Sequence, residues 1–368
     1  MQQAYIVYEG SFQMDTENIH IIDEAYGFKS GCYLQTRDGI VFSVPSASRS
    51  ESYILKPCLE PADRKFFTYA VHTHLNENGF SNTDRILKTS AGGIFVELCG
   101  RMYTCSRLPQ GRPCCVECES DLKNAAALLA AMHNASAGFT SARAVKIIDS
   151  VLPQKDASGY VRNELGGILP LYEHRSRELA RFKRLASRSR GRFDYEYLSI
   201  ADYYCGIAEE MCKALADSEY AALSQAYSER GAICHRDYAS HNIVLCAAAN
   251  EPCEKASEGG AGGIINFDCA AIDLPLLDLT NLMKRRMRKC GWRPADAHTI
   301  LNSYCRSRPL SAGEIEIIKI VLNFPQKLWR IVNKYYNSRR SWCEKSCLMK
   351  LSEIKKERTQ MNEFIKSF

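Results

Sequence analysis

The chain has 368 residues, 46% of them hydrophobic and 24% charged, which excludes whole-chain disorder, collagen and coiled coil. At roughly 100–200 residues per domain, this length suits two domains or one bilobal one. The net charge of +6, from 48 Lys and Arg against 42 Asp and Glu, is too mild to imply a nucleic-acid partner by itself.

The N-terminal text has no basic segment followed by an apolar core, so no secretory signal is expected. No window approaches the ~18 apolar residues of a membrane span, so none is expected either. The 17 cysteines are an odd number and scattered, which reads as reduced, buried thiols in a cytosolic setting. Cys114, Cys115 and Cys118 form one cluster, and Cys343 and Cys347 another. Zinc takes four ligands, usually as two paired knuckles. Cys115-x-x-Cys118 has no matching second pair, so metal binding is the lesser reading.

Residues 1–110 read as strand-rich. Apolar runs at 40–44, 53–55, 93–98 and 102–108 are separated by turn signals such as Asp38-Gly39 and Cys99-Gly100. One helical pattern interrupts them over 62–78, where Phe66, Phe67, Ala70, Val71 and Leu75 share a face and Gly79 follows as a stop. The first third is therefore expected to be an antiparallel sheet with one helix. From 119 onward the chain reads as mainly helical. Leu122, Ala125, Ala126, Leu129 and Met132 make a stripe ending near His133, and further patterns run over 173–190 and 195–230. The arginine-rich run 174–192 reads first as a solvated helix face, and second as a phosphate or acidic-partner patch. Ser311-Ala-Gly-Glu314 has the spacing of a capping box. The one low-complexity stretch, 247–263, reads as a loop between two short strands.

The chemistry concentrates in ICHRDYASHNIVL, 233–245. His-Arg-Asp with Asn five residues after the Asp is a kinase-type spacing. One compact loop then aims both groups at one phosphoryl oxygen, Asp237 as base and Asn242 as metal ligand. An Asp and Asn in an ordinary turn would look similar. The context raises the signal. A strand follows at 243–245, then the loop, then a second strand over 264–267 ending in Asp268. Kinases place a Mg²⁺-holding carboxylate there. In the Asp-Phe-x register the residue at that position is Asn266. An amide carbonyl ligates Mg²⁺ without bringing charge, and hard cations near phosphates favour carboxylates. Asp268 is the other candidate ligand, or else caps a turn. Lys56, at the end of a strand-like run, fits a lysine that pairs with nucleotide phosphates, and equally a surface lysine. Its expected Glu partner is missing from the middle of the 62–78 helix, whose acidic residues, Asp63 and Glu77, lie near its ends. Gly27–Gly31 precedes a strand but is no G-x-G-x-x-G loop, and a plain turn serves as well.

Several segments occur in one order: ILKP at 54–57, LNENGF at 75–80, LAAMHNASAGF at 129–139, ICHRDYASHNIV at 233–244 and INFDxxxxDLPLLDL at 265–279. LNFPQKLWRIVNKYY at 322–336 follows, with a Lys-rich tail. This set resembles the CotS/CotI family of bacterial spore coat proteins, relatives of the aminoglycoside phosphotransferase and choline kinase group. The resemblance covers about Tyr26 to Phe368. It implies an α+β, bilobal, protein-kinase-like fold, with a sheet-rich N-lobe over 1–110 and a mainly helical C-lobe over 111–368. That C-lobe would hold the catalytic-loop-like segment 233–245 and the metal-loop-like segment 264–279. The resemblance also implies a role in endospore coat assembly, synthesis in the mother-cell cytoplasm, and other coat proteins as partners. Carried over by residue, Lys56 resembles the phosphate-pairing lysine, Asp237 the catalytic Asp, Asn242 the metal Asn and Asp278 the Asp that supports the catalytic loop. ATP and Mg²⁺ are the cofactors if the chain transfers phosphate. Asn266 departs from the pattern and makes a scaffold with weak or no activity the main expectation. An active phosphotransferase on a small hydroxylated molecule or a coat component is the alternative. No nucleic-acid module accompanies the basic runs, so nucleic acid is not an expected partner.

Overall fold

The computed structural model describes residues 16–36, 39–45, 51–58, 64–152, 156–246, 262–337 and 344–368. The low-complexity stretch lies almost wholly outside them, as do Asp63 and Cys343. The chain forms two compact units. The first comprises Met1–Asn163 and Arg230–Ile272, the second Glu164–Glu229 and Asp273–Phe368. The boundary expected after residue 110 falls inside the first unit, and residues 233–245 belong to the same unit as the sheet.

The first unit opens with α1 (Thr16–Tyr26). One helix is expected in the first third, so α1 is a correction. Only Ile22 and Asn18 of its described side chains are fully buried, too narrow a stripe for a helical period to stand out. Five strands follow as an antiparallel sheet in the order β1 (Tyr33–Gln35), β2 (Ile40–Val44), β3 (Glu51–Pro57), β5 (Arg101–Arg107), β4 (Val96–Leu98). Its register opposes Ile40 to Leu55, Phe42 to Tyr53, and Leu55 to Cys105. Side chains alternate across a sheet. Ile40, Phe42, Tyr53, Leu55, Tyr103 and Cys105 therefore share one face and form a core with Ile22, Val96 and Leu98. The same alternation sends Lys56, beside Leu55, to the opposite face.

Helix α2 (Arg64–Glu77) is buried on almost every side, Phe66 through His72 included. Gly79 ends it with φ +85°, and Phe80 N–H donates back to the Leu75 carbonyl. Beyond the sheet lie β6 (Arg112–Pro113), α3 (Glu119–Ala135) and α4 (Ser141–Asp149). A second, three-stranded sheet then takes β6, β7 (Ile243–Leu245) and β8 (Gly262–Ile264) in that order. The hairpin expected around residues 243–267 is present as β7 and β8. It gains an unexpected third strand in β6, and β8 ends at Ile264 rather than Phe267.

The second unit is helical among its described residues: α5 (Ile168–Ala186), α6 (Arg192–Asp217), α7 (Tyr220–Arg230, its last residue in the first unit), α8 (Leu276–Cys290), α9 (Pro294–Cys305), α10 (Ala312–Asn323), α11 (Gln326–Asn337) and α12 (Glu344–Ser367). The arginine-rich run lies on α5 up to Ala186 and continues through the turn into the start of α6. Helix α5 buries Tyr172, Ser176, Leu179, Phe182 and Ala186 at helical spacing and turns charge outward. Arg175 stacks over the Trp329 ring, 4.3 Å from its centroid. Among the described residues no helix is long and apolar enough to cross a membrane.

The capping box at the start of α10 is formed. Glu314 N–H donates to Ser311 Oγ at 3.1 Å, and Ser311 N–H to Glu314 Oε2 at 2.9 Å. Ser311→Ala is expected to cost about 1 kcal/mol, because one helix-end amide then loses its acceptor. A urea titration checks this as a lower midpoint with unchanged slope.

Candidate functional site

The site lies wholly in the first unit, where 234–242 and 264–268 meet the end of β3. Cys234 and Ala271 exchange two backbone hydrogen bonds, at 2.9 and 3.0 Å, which anchors the start of the catalytic-loop-like segment. His235 is fully buried. Its Nδ1 accepts the Asp237 amide proton at 3.2 Å, and its Nε2 donates to the Ile265 carbonyl at 3.0 Å. A single ring thereby ties the catalytic loop to the metal loop, since an imidazole with one donor and one acceptor serves both at once. Arg236 takes a left-handed conformation, φ +64°, and turns the chain between them.

Asp237 and Asn242 come together as expected. A 3-10 turn over Ser240–Asn242 folds the chain back. Asn242 Nδ2 then donates to the Asp237 carbonyl at 2.9 Å and to its Oδ2 at 3.1 Å. Asn242 is buried, while the Asp237 side chain is 33% exposed. Tyr238 braces the loop from below, its hydroxyl donating to the Ala125 carbonyl on α3 at 2.7 Å.

The metal-loop segment runs alongside. Ile265 N–H donates to the Asn242 carbonyl at 2.9 Å. Asn266 follows at φ +67°, ψ +59°. Asparagine is one of the few residues besides glycine that enters this region readily. Its Nδ2 lies 3.4 Å from Asn242 Oδ1 and donates to it. Phe267 is buried edge-on between two imidazoles, His235 at 4.7 Å and His72 at 4.9 Å. Asp268 is placed elsewhere. Lys65, at the start of α2, pairs with its Oδ1 at 2.6 Å, and Arg162 donates to its carbonyl at 3.0 Å.

Lys56 meets a carboxylate that sequence reasoning missed. Its Nζ donates to Asp84 Oδ2 at 3.0 Å. The Asn266 backbone N–H donates to Asp84 Oδ1, also at 3.0 Å. His72 Nε2 stands 3.4 Å from that same oxygen, out of hydrogen-bond alignment, while its Nδ1 accepts the Ile86 amide proton at 3.3 Å. Burial alone would raise the Asp84 carboxyl. The Lys56 ammonium and the His72 ring outweigh it and hold the group well below the usual carboxylate range. The helix position searched for a glutamate thus carries His72, and the acid arrives from the following loop. Glu77, the described alternative, pairs instead with Arg143. The available signal was an Asp directly after Asn82-Thr83, a weak one, because no spacing rule links it to Lys56.

That loop is held against β8. Ile264 N–H donates to the Asn82 carbonyl at 3.0 Å, and Asn82 Nδ2 to the Gly262 carbonyl at 2.7 Å. A Cβ at Gly263 would come within 2.7 Å of the Asn82 carbonyl oxygen, so the approach needs glycine. Around Gly27–Gly31, Phe28 N–H returns to the Asp23 carbonyl of α1 and Gly31 N–H donates to Ser43, the pattern of a turn feeding β1. Cys114 is buried, Cys115 and Cys118 are exposed thiols, and no group of three or more His, Cys, Asp or Glu among the described residues is placed to hold a metal.

The donor set does not suit a divalent cation. The loop position expected to supply charge carries an amide, and that amide's N–H₂ occupies Asn242 Oδ1. Hard cations take oxygen ligands, with carboxylates to balance their charge. Asp84 is committed to Lys56 and Asn266, and Asp268 to Lys65.

A five-stranded sheet presenting a lysine, a His-Arg-Asp loop with its Asn folded back, and a strand pair leading into a left-handed turn define the bilobal, α+β, protein-kinase-like phosphotransferase fold. Solved structures agree. An aminoglycoside phosphotransferase from Alicyclobacillus acidocaldarius superposes with a TM-score of 0.75 at 20% identity, covering 97% of each chain. Spectinomycin phosphotransferase, solved with ADP and spectinomycin, gives 0.53 at 12% identity over 95% of this chain and 96% of its own. The GDP complex of aminoglycoside 2'-phosphotransferase-IIIa gives 0.53 at 15% identity over 90% and 94%. The chain belongs to the family described as spore coat putative kinase YutH, which matches residues 170–368. It is also similar to spore coat protein S of Bacillus subtilis (strain 168), 24% identical over 294 residues, 79% of this chain and 76% of that one. The expected resemblance and fold both hold.

Proposed function

We propose that this protein is a component of the endospore coat that keeps a nucleotide site on a kinase-like scaffold and transfers phosphate weakly or not at all. It is made in the mother-cell cytoplasm and ends in the coat, with other coat proteins as partners. The family and the likeness to spore coat protein S support the coat role. ATP is the nucleotide, with Lys56 on its phosphates. The observation that carries the low activity is Asn266, an amide in the metal loop, bonded to Asn242.

A second reading is favoured by the Asp237–Asn242 geometry: an active ATP- and Mg²⁺-dependent phosphotransferase on a small hydroxylated molecule or a coat component. In that chemistry Asn242, Asn266 and Asp268 would have to hold Mg²⁺, which would supply neutralising charge at the phosphates. Asp237 orients and deprotonates the acceptor hydroxyl, and Lys56 holds the phosphates.

One experiment separates the two. Purified, reduced protein is incubated with γ-labelled ATP, Mg²⁺, a panel of amino alcohols and aminoglycosides, and a spore coat extract. The expected result is transfer that Asp237→Asn leaves within about twofold. Transfer that falls by the ~10²–10⁴-fold of a lost general base would overturn the first reading and establish the second.

A further inference from the structure

A kinase-type site normally uses a dication for two jobs: it neutralises the phosphates, and it holds the metal loop by the carboxylate it ligates. Here both have another provision. The loop is held from behind, by the Asn266 backbone N–H on Asp84 Oδ1. The same carboxylate aims Lys56 through Oδ2. Replacing the loop carboxylate with an amide removes one negative charge from the phosphate side, and the Asn266 side chain offers N–H donors. Asp84 is 3% exposed, so its charge acts on groups sealed from water and is screened little by salt. Its segment is fixed in turn to β8 through Asn82.

We propose that the site takes a nucleoside triphosphate without a divalent cation, and that Asp84, by gripping Lys56 and the Asn266 turn together, does the positioning that a metal does elsewhere. This rests on the nucleotide-site reading above. Asp84 is a positioning residue and touches no phosphate. It makes the lysine and the metal loop one unit, so a change at Asp84 disturbs both at once.

The test is calorimetric titration of ATP into the full, reduced chain, once with EDTA and once with excess Mg²⁺. Affinity is expected to agree within about twofold between the two conditions. Asn266→Asp is expected to make Mg²⁺ tighten binding by about tenfold or more, since it restores a charged ligand. Asp84→Asn is expected to weaken ATP by about tenfold in EDTA and Mg²⁺ alike, since it loosens the ammonium that meets the phosphates. Lys56→Gln serves where Asp84→Asn does not fold, and is expected to lose a similar factor in both conditions. Wild-type binding that appears only with Mg²⁺ overturns the proposal and leaves the nucleotide site standing. Binding in neither condition, by protein with a cooperative unfolding transition, overturns the nucleotide site itself. Undiminished affinity in a folded Asp84→Asn variant removes Asp84 from the account.

Discussion

Gly231→Ala is expected to destabilise the first unit by more than about 3 kcal/mol, and to leave little folded protein. Gly231 joins the end of α7 to the segment that carries His235 and Asp237, and it does so at φ +74°. The left-handed conformation costs an L-residue about 1–2 kcal/mol. The larger part is steric. A Cβ there would lie 2.5 Å from the Phe139 nitrogen, 2.6 Å from its carbonyl carbon and 2.8 Å from the carbonyl carbon of Gly138. These are backbone atoms, held where Gly138 N–H donates to the Arg230 carbonyl at 2.9 Å, so no rotamer relieves the overlap. Gly79 is the control. It has φ +85° and nothing within 4 Å of its Cβ position, so Gly79→Ala is expected to cost only about 1 kcal/mol. Urea unfolding of both variants measures the gap, and equal costs would refute the steric argument.

Asp84→Ala is expected to cost about 3–5 kcal/mol at neutral pH. It removes a close partner from a largely buried ammonium and an acceptor from the Asn266 amide, and breaking one side of a buried ion pair is expensive. The cost is expected to shrink in acid. Asp84 titrates lower in the folded chain than the ~3.9 of an unfolded Asp. Its contribution is therefore complete above about pH 4 and fades as pH falls toward the folded value, where the native carboxylate also protonates. Unfolding measured at about pH 7, 4 and 3 should show the gap between wild type and variant narrowing in the most acid sample. A gap that stays constant would mean that packing, rather than the charge, carries the effect.

The parts of the site legible in the sequence are those whose chemistry is local. Asp237 and Asn242 must lie five residues apart for one turn to join them, so the text alone brought them together. Lys56 was legible as a candidate because it ends a strand-like run, where a phosphate-pairing lysine fits. Asp84 was not, because its tie to Lys56 spans 28 residues and runs through a loop with no period. Asp268 had the right chemistry at a plausible distance. The 3-10 turn over Phe267–Cys269 and the nearby Lys65 took it elsewhere. Helix α1 and the two-residue β6 were missed at the level of the fold. The first shows little buried stripe, and the second is too short for any pattern. The helical pattern over 62–78 became α2 (Arg64–Glu77), and the stripe from Leu122 to Met132 lies inside α3 (Glu119–Ala135), because apolar spacing in both is regular.

The backbone at Asn266 has a consequence for how such a site changes over generations. A left-handed position rejects most side chains, yet it admits asparagine and aspartate almost alike. The two differ by a single base in their codons and fill nearly the same volume. Shape and charge at this point are therefore separately heritable. Under the proposed function, exchange between the two would change the charge offered at this position without disturbing the turn.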